Sequence, residues 1–526
     1  MEKNVVICTG REEWDGFFPQ IRSFLEKDSL DLCIDGETIR GYRSPDSRAI
    51  WIRDHSDILR GAKYIEKDMR SAVDHFAHTQ AANGRIFDYV TTYPDKLPSE
   101  KENWTKYVRV PVEADVEYRF IKAAWLAWQA TGDDEWIEGL MPYLIRAVNY
   151  ITTSPLRWDD ELGLVKRPYT IDTWDFAYTA GRHDWLQMQI DENTFWGIMH
   201  GDNSGYYEAF SILSRLFRHL GRADSARCWS EKADSLRIRM NEVCWNGRFY
   251  THFVKRTPVT ISGVDESEQL SLSNPININR GAADHKQAVS IINEYRQRKD
   301  TSGAFAEWFS IHPPFPAGIF GDDRLVPGAY INGGIFPLVG GELARAAFEH
   351  GFERYGVEIL RTYRDMIRES GETYLWYFPD GTPSSVETST SPEATPTDGW
   401  GSSAMLYAFL EGLAGIEDRS KLFERLRLAP RWPAANVESA DVRVTYAASG
   451  RGMSYSWRSA PGRLELSVEV PQSEVDVHLL LPDGFVPRSV SMDGRALDYA
   501  VVSVESSAYT DFSAPVRNRS VFEVKT

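Results

Sequence analysis

Apolar residues recur at three- and four-residue steps over much of the region from residue 51 to residue 416, and this spacing is typical of amphipathic helices. In VEADVEYRFIKAAWLAWQA (112–130) the apolar stripe stops at Thr131-Gly132-Asp133 and resumes over 135–151. Similar pairs cover 204–220 with 225–243, and 342–350 with 357–368. Each pair predicts two helices joined by a short turn. Recurring helical hairpins favour a toroid or a solenoid over an alternating α/β fold.

Long connectors separate the predicted hairpins, and no sequence repeat of fixed period accompanies them. They hold many of the chain's Trp, Tyr, Pro and Asp residues, and they cover residues 83–110, 158–201, 254–284, 310–334 and 376–400. Long irregular loops on a helical scaffold commonly carry functional residues. We therefore expect the chemistry of this chain to lie in these connectors.

The pattern changes to short alternating runs after the Pro-rich stretch LAPRWP (428–433). Runs at 442–446, 453–457, 464–470, 475–481 and 521–524 predict strands, and Asp493-Gly494 predicts a hairpin turn. We predict a mainly α chain with a small C-terminal antiparallel β-sandwich. The expected divisions are an N-terminal segment (1–48) that packs on the helices, a helical catalytic domain (49–428) and an accessory β-domain (429–526).

Composition and charge disfavour several classes of function and of partner. The 526 residues include 59 Lys+Arg and 76 Asp+Glu, so the net charge of −17 disfavours nucleic acid and anionic membranes as partners. The four cysteines form no C-x-x-C pair, and no His ladder accompanies them, so neither a metal nor another cofactor is expected. No signal peptide or long apolar segment is evident, which predicts a cytoplasmic location. The unusual feature is the aromatic content, 17 Trp, 24 Tyr and 25 Phe.

The first carboxylate cluster lies in KRPYTIDTWDFAYTAGRHDW (166–185), where Asp172 and Asp175 flank Trp174. A carboxyl group enclosed by aromatic rings loses solvation, which raises its pKa and suits a general acid. The competing interpretation is that these carboxylates cap helices or pair with Arg167 and Arg182.

A second cluster lies in SSVETSTSPEATPTDGW (384–400), with Glu387, Glu393 and Asp398 on a polar loop before a predicted helix. A carboxylate on a polar loop stays ionised and is able to activate water, although a merely solvated loop explains the same pattern. Two carboxyl groups in opposite protonation states are what glycosidic hydrolysis requires. Loop aromatics such as Trp174 and Trp376 suit packing against a sugar face.

Four local motifs resemble those of the six-hairpin glycosidases, the (α/α)6-barrel enzymes that include trehalases, processing α-glucosidases, mannosylglycerate hydrolases and, more distantly, α-L-rhamnosidases. The motifs are WIRD (51–54), DTWDF (172–176), YINGGIFP (330–337) and Glu387 followed by DGWG (398–401). The resemblance covers about residues 50–416, and the β-domain is similar to the one that follows the barrel in rhamnosidase-like members.

The resemblance implies roles for individual residues. Asp175 is the expected general acid and Glu387 the expected general base. Because Asp172-Thr173 replaces the family's Ser-Gly, Asp172 is an alternative acid, and the long spacing from Glu387 to Trp400 makes Glu393 an alternative base. The residues expected to contact the sugar or to orient its hydroxyls are Arg53, Asp54, Trp174, Arg182, His183, Asn332, Trp376 and Trp400.

The favoured function is an inverting, exo-acting glycoside hydrolase of the α-glucosidase, α-mannosidase or α-L-rhamnosidase type, with an oligosaccharide or glycoside as substrate. A glycoside phosphorylase or a sugar epimerase on the same fold is an alternative, and so is a non-catalytic carbohydrate-binding protein. The sugar, its anomer and the oligomeric state stay open at this point.

Overall fold

The predicted helical hairpins are present in the computed structural model, which describes residues 4–92, 107–178, 180, 190–321, 324–384 and 395–526. The described helices are α1 Glu12–Asp15, α2 Phe17–Lys27, α3 Ile52–Ala62, α4 Ser71–His78, α5 Val116–Thr131, α6 Asp134–Thr153, α7 His200–His219, α8 Ala223–Cys244, α9 Ser273–Asn279, α10 His285–Ser302, α11 Pro337–Glu349, α12 Glu353–Ser370 and α13 Gly399–Tyr407. A π-helical turn, Ala408–Leu413, continues α13.

Six helices form an inner layer in which each packs against the next. The order of contacts is α3, α5, α7, α9, α11 and α13, and α13 in turn packs against α3. Every residue of α3 is buried, and so is every residue of α5 before Thr131. A helix buried on all sides needs apolar or internally paired residues around its whole circumference. The inner helices therefore bury polar as well as apolar side chains: six of the eleven residues of α3 are Arg, Asp, His or Ser, and its charged residues pair with α5 and α11.

The outer layer packs around this ring. Helix α6 lies against α5, α8 against α7, α10 against α9, and α12 against α11, while α2 from the N-terminal segment lies against α13. Short turns lead from an inner helix to its outer partner, for example through Gly132, which adopts a left-handed conformation (φ 71°). The long connectors lead from an outer helix to the next inner helix. They consequently converge on the N-terminal ends of the inner helices.

The described strands are β1 Val5–Cys8, β2 Ser29–Ile34, β3 Glu37–Tyr42, β4 Ile50–Trp51, β5 Tyr89–Val90, β6 Tyr107–Val108, β7 Trp158–Asp159, β8 Leu164–Pro168, β9 Trp196–Ile198, β10 Val254–Lys255, β11 Leu270–Ser271, β12 Ile311–His312, β13 Ile416–Asp418, β14 Arg425–Leu428, β15 Ser439–Thr445, β16 Gly452–Ala460, β17 Arg463–Leu480, β18 Ser489–Met492, β19 Arg495–Ala496, β20 Ala500–Val504 and β21 Ser507–Lys525. Strands β2 to β12 form small sheets within and beside the connectors.

The C-terminal strands form one large sheet in the order β1-β15-β16-β17-β21-β18-β19. The predicted runs 464–470 and 475–481 are a single strand, β17, because a bulge between Val470 and Gln472 lets the ladder with β21 continue. The predicted hairpin at Asp493-Gly494 joins β18 and β19. Every strand pairing within residues 429–526 is antiparallel, as predicted, and β14, just before this range, pairs with β17 in parallel.

The N-terminal segment contributes to both parts of the molecule. Strand β1 pairs antiparallel with β15, with Val5 opposite Val444 and Cys8 opposite Asp441. Helix α2 follows and buries Ile21, Phe24 and Leu25. Among the described residues, no helix is long and apolar enough to cross a membrane.

Candidate active site

The N-terminal ends of α3 and α5 meet through a buried ion-pair cluster. Arg53, in the first turn of α3, donates from Nε to Oδ2 of Asp115 (2.7 Å) and from one NH2 group to Oδ1 (2.9 Å). The same nitrogen lies 2.6 Å from Oε2 of Glu113. This two-point contact fixes the plane of the guanidinium group. The WIRD motif therefore begins an inner helix, as the sequence predicted, and Arg53 is held in place by α5.

Asp54, the neighbour of Arg53, is buried and has an elevated pKa. Burial is the main cause, the charge of Asp398 adds to it and that of Arg53 opposes it, and together they raise the pKa to about 7. Asp398 is the N-cap of α13, and burial likewise raises its pKa to about 7 against the hydrogen bonds from Gly401 and Trp400. Both carboxyl groups therefore have a pKa close to neutral pH.

Aromatic rings from three connectors form a wall beside these carboxyl groups. The ring of Trp174 stacks on that of Trp400, with centroids 5.5 Å apart and planes inclined by 30°. Nε1 of Trp174 donates to the hydroxyl of Tyr330 at 3.0 Å, and the Tyr330 and Trp376 rings lie 6.2 Å apart. Nε1 of Trp400 donates to Asp57 at 2.9 Å. The structure thus brings together the predicted residues Trp174, Trp376 and Trp400.

Asp175 lies in a tight loop between β8 and β9 that a bridge between Thr170 and Ala177 closes. Its side chain is partly exposed. Burial is the main cause that raises the pKa of Tyr330 well above its ordinary value, and the charges of Asp46, Asp175 and Asp54 add to it. The charges of carboxyl groups from three separate segments therefore act on one phenol, and Asp175 is one of these groups.

Asp172 has a different environment, although it is only three residues from Asp175. It is fully buried and adopts a left-handed backbone conformation (φ 49°). Its carboxylate accepts hydrogen bonds from the backbone N–H groups of Thr173 (2.7 Å) and Ser273 (3.1 Å) and from the Ser273 hydroxyl. Because Ser273 begins α9, these hydrogen bonds connect the loop to the first turn of that helix. Asp172 therefore fits the competing interpretation, in which the carboxylate caps a helix.

Asn332 was expected to contact sugar, and in the structure it holds its own loop together. Its Nδ2 donates to the carbonyl oxygens of Phe315 (3.0 Å) and Leu325 (2.8 Å), and its Oδ1 accepts from the Phe315 N–H (2.7 Å). The side chain is 1% exposed. Both amide protons are used, so Asn332 shapes the loop that presents Tyr330 and has no donor left for a sugar hydroxyl.

Four of the predicted site residues, Glu387, Glu393, Arg182 and His183, lie outside the described residues. The segment that carries both glutamates is anchored on its two sides. Ser384 donates its N–H to the Trp376 carbonyl (3.0 Å), and Thr395 donates its N–H to the Pro45 carbonyl (2.9 Å). Both anchors belong to the segments that form the aromatic and carboxyl cluster.

Sequence reasoning missed Asp46 and Asp88 and did not single out Tyr330. Asp88 accepts the Val110 N–H through Oδ2 (2.8 Å), and its pKa is raised well above the usual range by burial, by the charge of Glu113 and by a hydrogen bond with Glu113. Burial and the neighbouring charge of Glu113 therefore favour the protonated form of Asp88, close to Arg53. No local pattern marks such residues, because their partners are distant in the sequence.

Two buried histidines lie on either side of Asp172. His252 accepts the Asp172 N–H through Nε2 (2.9 Å), while the ring nitrogens of His200 contact Ser271 and Asn277. Burial lowers the pKa of each ring to about 4, so both are neutral. Within the described ranges, no group of three or more His, Cys, Asp or Glu side chains is arranged to hold a metal ion.

No protein-family model matches the sequence, and no curated protein matches it. The fold is similar to that of the α-L-rhamnosidase from Dictyoglumus thermophilum, with a TM-score of 0.62 and 14% identity over 99% of this chain and 50% of that chain. The α-L-rhamnosidase from Streptomyces avermitilis, complexed with L-rhamnose, gives a TM-score of 0.63 and 13% identity over 99% of this chain and 42% of that chain.

The mannosylglycerate hydrolase from Thermus thermophilus, in complex with Tris, gives a TM-score of 0.50 and 12% identity over 75% of this chain and 99% of that chain. The chain spans about half the length of the two rhamnosidases. These similarities show a six-hairpin glycosidase-like fold with rhamnosidase-like domains, as the sequence motifs predicted.

Proposed function

We propose that the chain is an inverting glycoside hydrolase whose active site lies at the N-terminal ends of the inner helices. One observation carries the proposal: the stacked rings of Trp174 and Trp400 lie beside Tyr330, whose hydroxyl accepts from Nε1 of Trp174 and whose pKa is raised by burial and by the charges of Asp46, Asp175 and Asp54. Carboxyl groups beside aromatic faces suit a pyranose, which presents C–H groups on one side and hydroxyl groups at its edge. The closed order of contacts among the inner helices fits the expected (α/α)6 toroid.

Asp175 is the proposed general acid. Asp175 is half-buried and follows Trp174, whose indole N–H donates to the Tyr330 hydroxyl, so it lies beside the aromatic wall on which a sugar would pack. Asp172 is unsuitable because three hydrogen-bond donors already occupy its carboxylate. Arg53, Asp54, Trp174, Trp376 and Trp400 are the proposed sugar-pocket residues.

Glu387 is the proposed general base, with Glu393 as the alternative. In an inverting enzyme the base activates water on the face of the sugar opposite the acid, and the two carboxyl groups lie about 6.5–9.5 Å apart. The backbone contacts of Ser384 with Trp376 and of Thr395 with Pro45 support this role, because these two described residues flank the glutamates in the sequence. Arg182 and His183 are proposed to orient a sugar hydroxyl or to stabilise Asp175.

The proposed substrates follow from the similar structures and from the motifs. Aryl α-L-rhamnoside, α-mannoside and α-glucoside form the first test panel, and the released sugar is followed by NMR to read its anomeric configuration. The proposal expects release of one sugar with inverted configuration, from the non-reducing end of the substrate. Retention of configuration would contradict the inverting mechanism, and turnover that requires inorganic phosphate would indicate a phosphorylase.

The acid is tested by Asp175→Asn on substrates with different leaving groups. We expect turnover of an alkyl glycoside to fall by about 10²- to 10⁴-fold, because that leaving group needs a proton. A dinitrophenyl glycoside needs none, so its turnover should fall much less. Equal losses on both substrates would remove Asp175 from the acid role.

The base is tested by Glu387→Gln and Glu393→Gln, assayed in parallel. Only one of the two variants should lose turnover, and that variant identifies the base.

The alternatives receive less support from the geometry. His200 and His252 are buried and neutral, and Nε2 of His252 and both ring nitrogens of His200 contact protein groups, whereas an epimerase would need such rings facing the sugar. A non-catalytic binding protein would bind the test glycosides, which quenching of Trp fluorescence would show, and would release none of them.

A further inference from the structure

Two carboxyl groups from distant parts of the chain bind the first three amides of α13. Asp398, the N-cap, accepts the N–H of Trp400 (3.1 Å) and the N–H of Gly401 (2.8 Å). The preceding amide, that of Gly399, donates instead to Oδ2 of Asp28, the residue that ends α2. The N-terminal segment thus completes the cap of an inner helix whose own sequence supplies only part of it.

Glycine at two positions allows the carboxyl groups to approach this closely. A Cβ on Gly399 would lie 2.8 Å from Oδ2 of Asp28, and a Cβ on Gly401 would lie 2.6 Å from Oδ2 of Asp398. Both separations are shorter than van der Waals contact. The sequence Gly399-Trp400-Gly401 therefore leaves space for one carboxyl group on each side of Trp400.

Asp28 is itself rigidly held. It is 1% exposed, and its carbonyl accepts the Arg43 N–H at 2.9 Å. The strand that follows α2 leads to Pro45, whose carbonyl accepts the Thr395 N–H at 2.9 Å. The segment 395–399 is consequently held near both of its ends by residues 28–45.

We propose that Asp28 is a positioning residue of the candidate active site: by binding the Gly399 amide it fixes the first turn of α13, and hence Asp398 and Trp400 against Trp174. The inference rests on the proposed function for its catalytic consequence. It assigns to the N-terminal segment a part in the site that no motif in that segment indicates.

The protonation of Asp28 distinguishes this role from simple packing. Burial and then the charge of Asp398 raise the pKa of Asp28 well above its usual range, and Asp54 adds to the effect, whereas the Gly399 amide and Arg43 oppose it. Burial therefore favours the neutral form of the Asp28 carboxyl group. An asparagine side chain matches that form, because its amide oxygen accepts the Gly399 N–H and its charge is zero at every pH.

The test compares Asp28→Ala, Asp28→Asn and the control Lys27→Met in the full chain. Lys27 links the same segment to Glu372 by an ion pair of 2.8 Å, away from the carboxyl groups. Hydrogen exchange at the amides of residues 399–401 and kcat/KM against pH on the best aryl glycoside are measured for each. Losing one hydrogen bond should speed amide exchange and reduce kcat about tenfold in Asp28→Ala.

Asp28→Asn should restore slow exchange and most of the turnover at pH 7, and it should move the alkaline limb of the pH profile to higher pH. Lys27→Met should match the wild-type protein both in amide exchange at residues 399–401 and in the dependence of kcat/KM on pH. Wild-type exchange and an unchanged pH profile in Asp28→Ala would overturn the proposal. If the wild-type protein hydrolyses no glycoside, the proposed function fails, and the exchange measurements alone decide whether Asp28 positions α13.

Discussion

A buried carboxyl pair under Arg53 shows how single residues maintain the site. Asp88 is 1% exposed and Glu113 is 0% exposed, and two like charges at that depth would repel strongly. Burial and the charge of Glu113 raise the pKa of Asp88, which favours its neutral form, while Arg53 pairs with Glu113 and Asp115. The neutral form of Asp88 therefore reduces the repulsion beside the ion pairs that orient Arg53.

This arrangement predicts a pH-dependent stability. Because the pKa of Asp88 is higher in the folded state than in the unfolded state, the folded protein binds this proton more tightly, and stability falls as the pH rises from about 4 towards the folded pKa. Asp88→Asn should remove that loss, since its amide donates to Glu113 at every pH. We expect its free energy of unfolding to exceed that of the wild type increasingly above pH 5, by about 1.4 kcal/mol per pH unit.

Urea unfolding between pH 4 and pH 9 measures this difference. Asp160→Asn, on an exposed turn, is the matched control and should run parallel to the wild type. Parallel curves for Asp88→Asn and the wild type would show that folding does not raise the pKa of Asp88.

At the scale of elements, glycines determine how closely the inner helices approach. A Cβ on Gly341 in α11 would lie 2.4 Å from the backbone carbon of Ala404 in α13. A Cβ on Gly61 in α3 would lie 2.9 Å from the Ser403 hydroxyl, which accepts the Gly61 N–H at 2.9 Å. The backbone of a glycine thus contacts α13 on both sides: Gly341 meets the backbone of Ala404, and Gly61 meets the side chain of Ser403.

Gly341→Ala should destabilise the protein by about 1–3 kcal/mol or more, because helix α13 must move to admit the methyl group. Gly139→Ala in α6 is the matched control. Gly139 is exposed inside a helix, and a methyl group added there would have no atom within 4 Å, so alanine should stabilise by about 0.5–1 kcal/mol. Thermal unfolding of the two variants should therefore shift in opposite directions, and a stable Gly341→Ala protein would contradict the close packing.

The hairpins α5–α6, α7–α8 and α11–α12 were predicted correctly because their periodicity and turns are local signals. The pairing of β1 with β15 and the packing of α2 on α13 were not, since each joins segments hundreds of residues apart. Within the site, the motifs located Asp54, Trp174 and Trp400, which the fold brings together. Asn332 was assigned by motif position alone, and the carbonyl groups that occupy its amide are not visible in a sequence.

At the scale of the whole molecule, Glu349 links the helical ring to the strands that follow it. Its carboxylate lies 2.8 Å from Arg345, 2.7 Å from Arg427 in β14 and 2.6 Å from Arg431. Burial alone would raise the pKa of Glu349, but the three arginines outweigh it and hold the pKa well below the usual range. One carboxylate therefore forms ion pairs with three guanidinium groups at the junction.

Glu349→Gln should cost about 3–5 kcal/mol, as expected when a buried ion-pair network loses its central charge. Because the folded pKa is depressed, the wild-type protein has this stabilisation at neutral pH and loses it only as the pH falls through the folded pKa. Calorimetry at pH 7 should show a lower midpoint for this variant, and the exposed Glu358→Gln on α12 should leave the midpoint unchanged. Equal midpoints for the two variants would contradict the role of Glu349.

The pairing of β1 with β15 has a consequence for synthesis on the ribosome. Strand β1 emerges more than 400 residues before β15, and α2 and α3 emerge long before α13, their common neighbour. At about 5–20 residues per second, the interval is on the order of half a minute or more. Throughout that time the nascent chain presents an unpaired strand edge and an open helical layer. Translation must therefore pass α13 before α2 packs on it and pass β15 before β1 is paired, and we expect the early chain to bind chaperones during this interval.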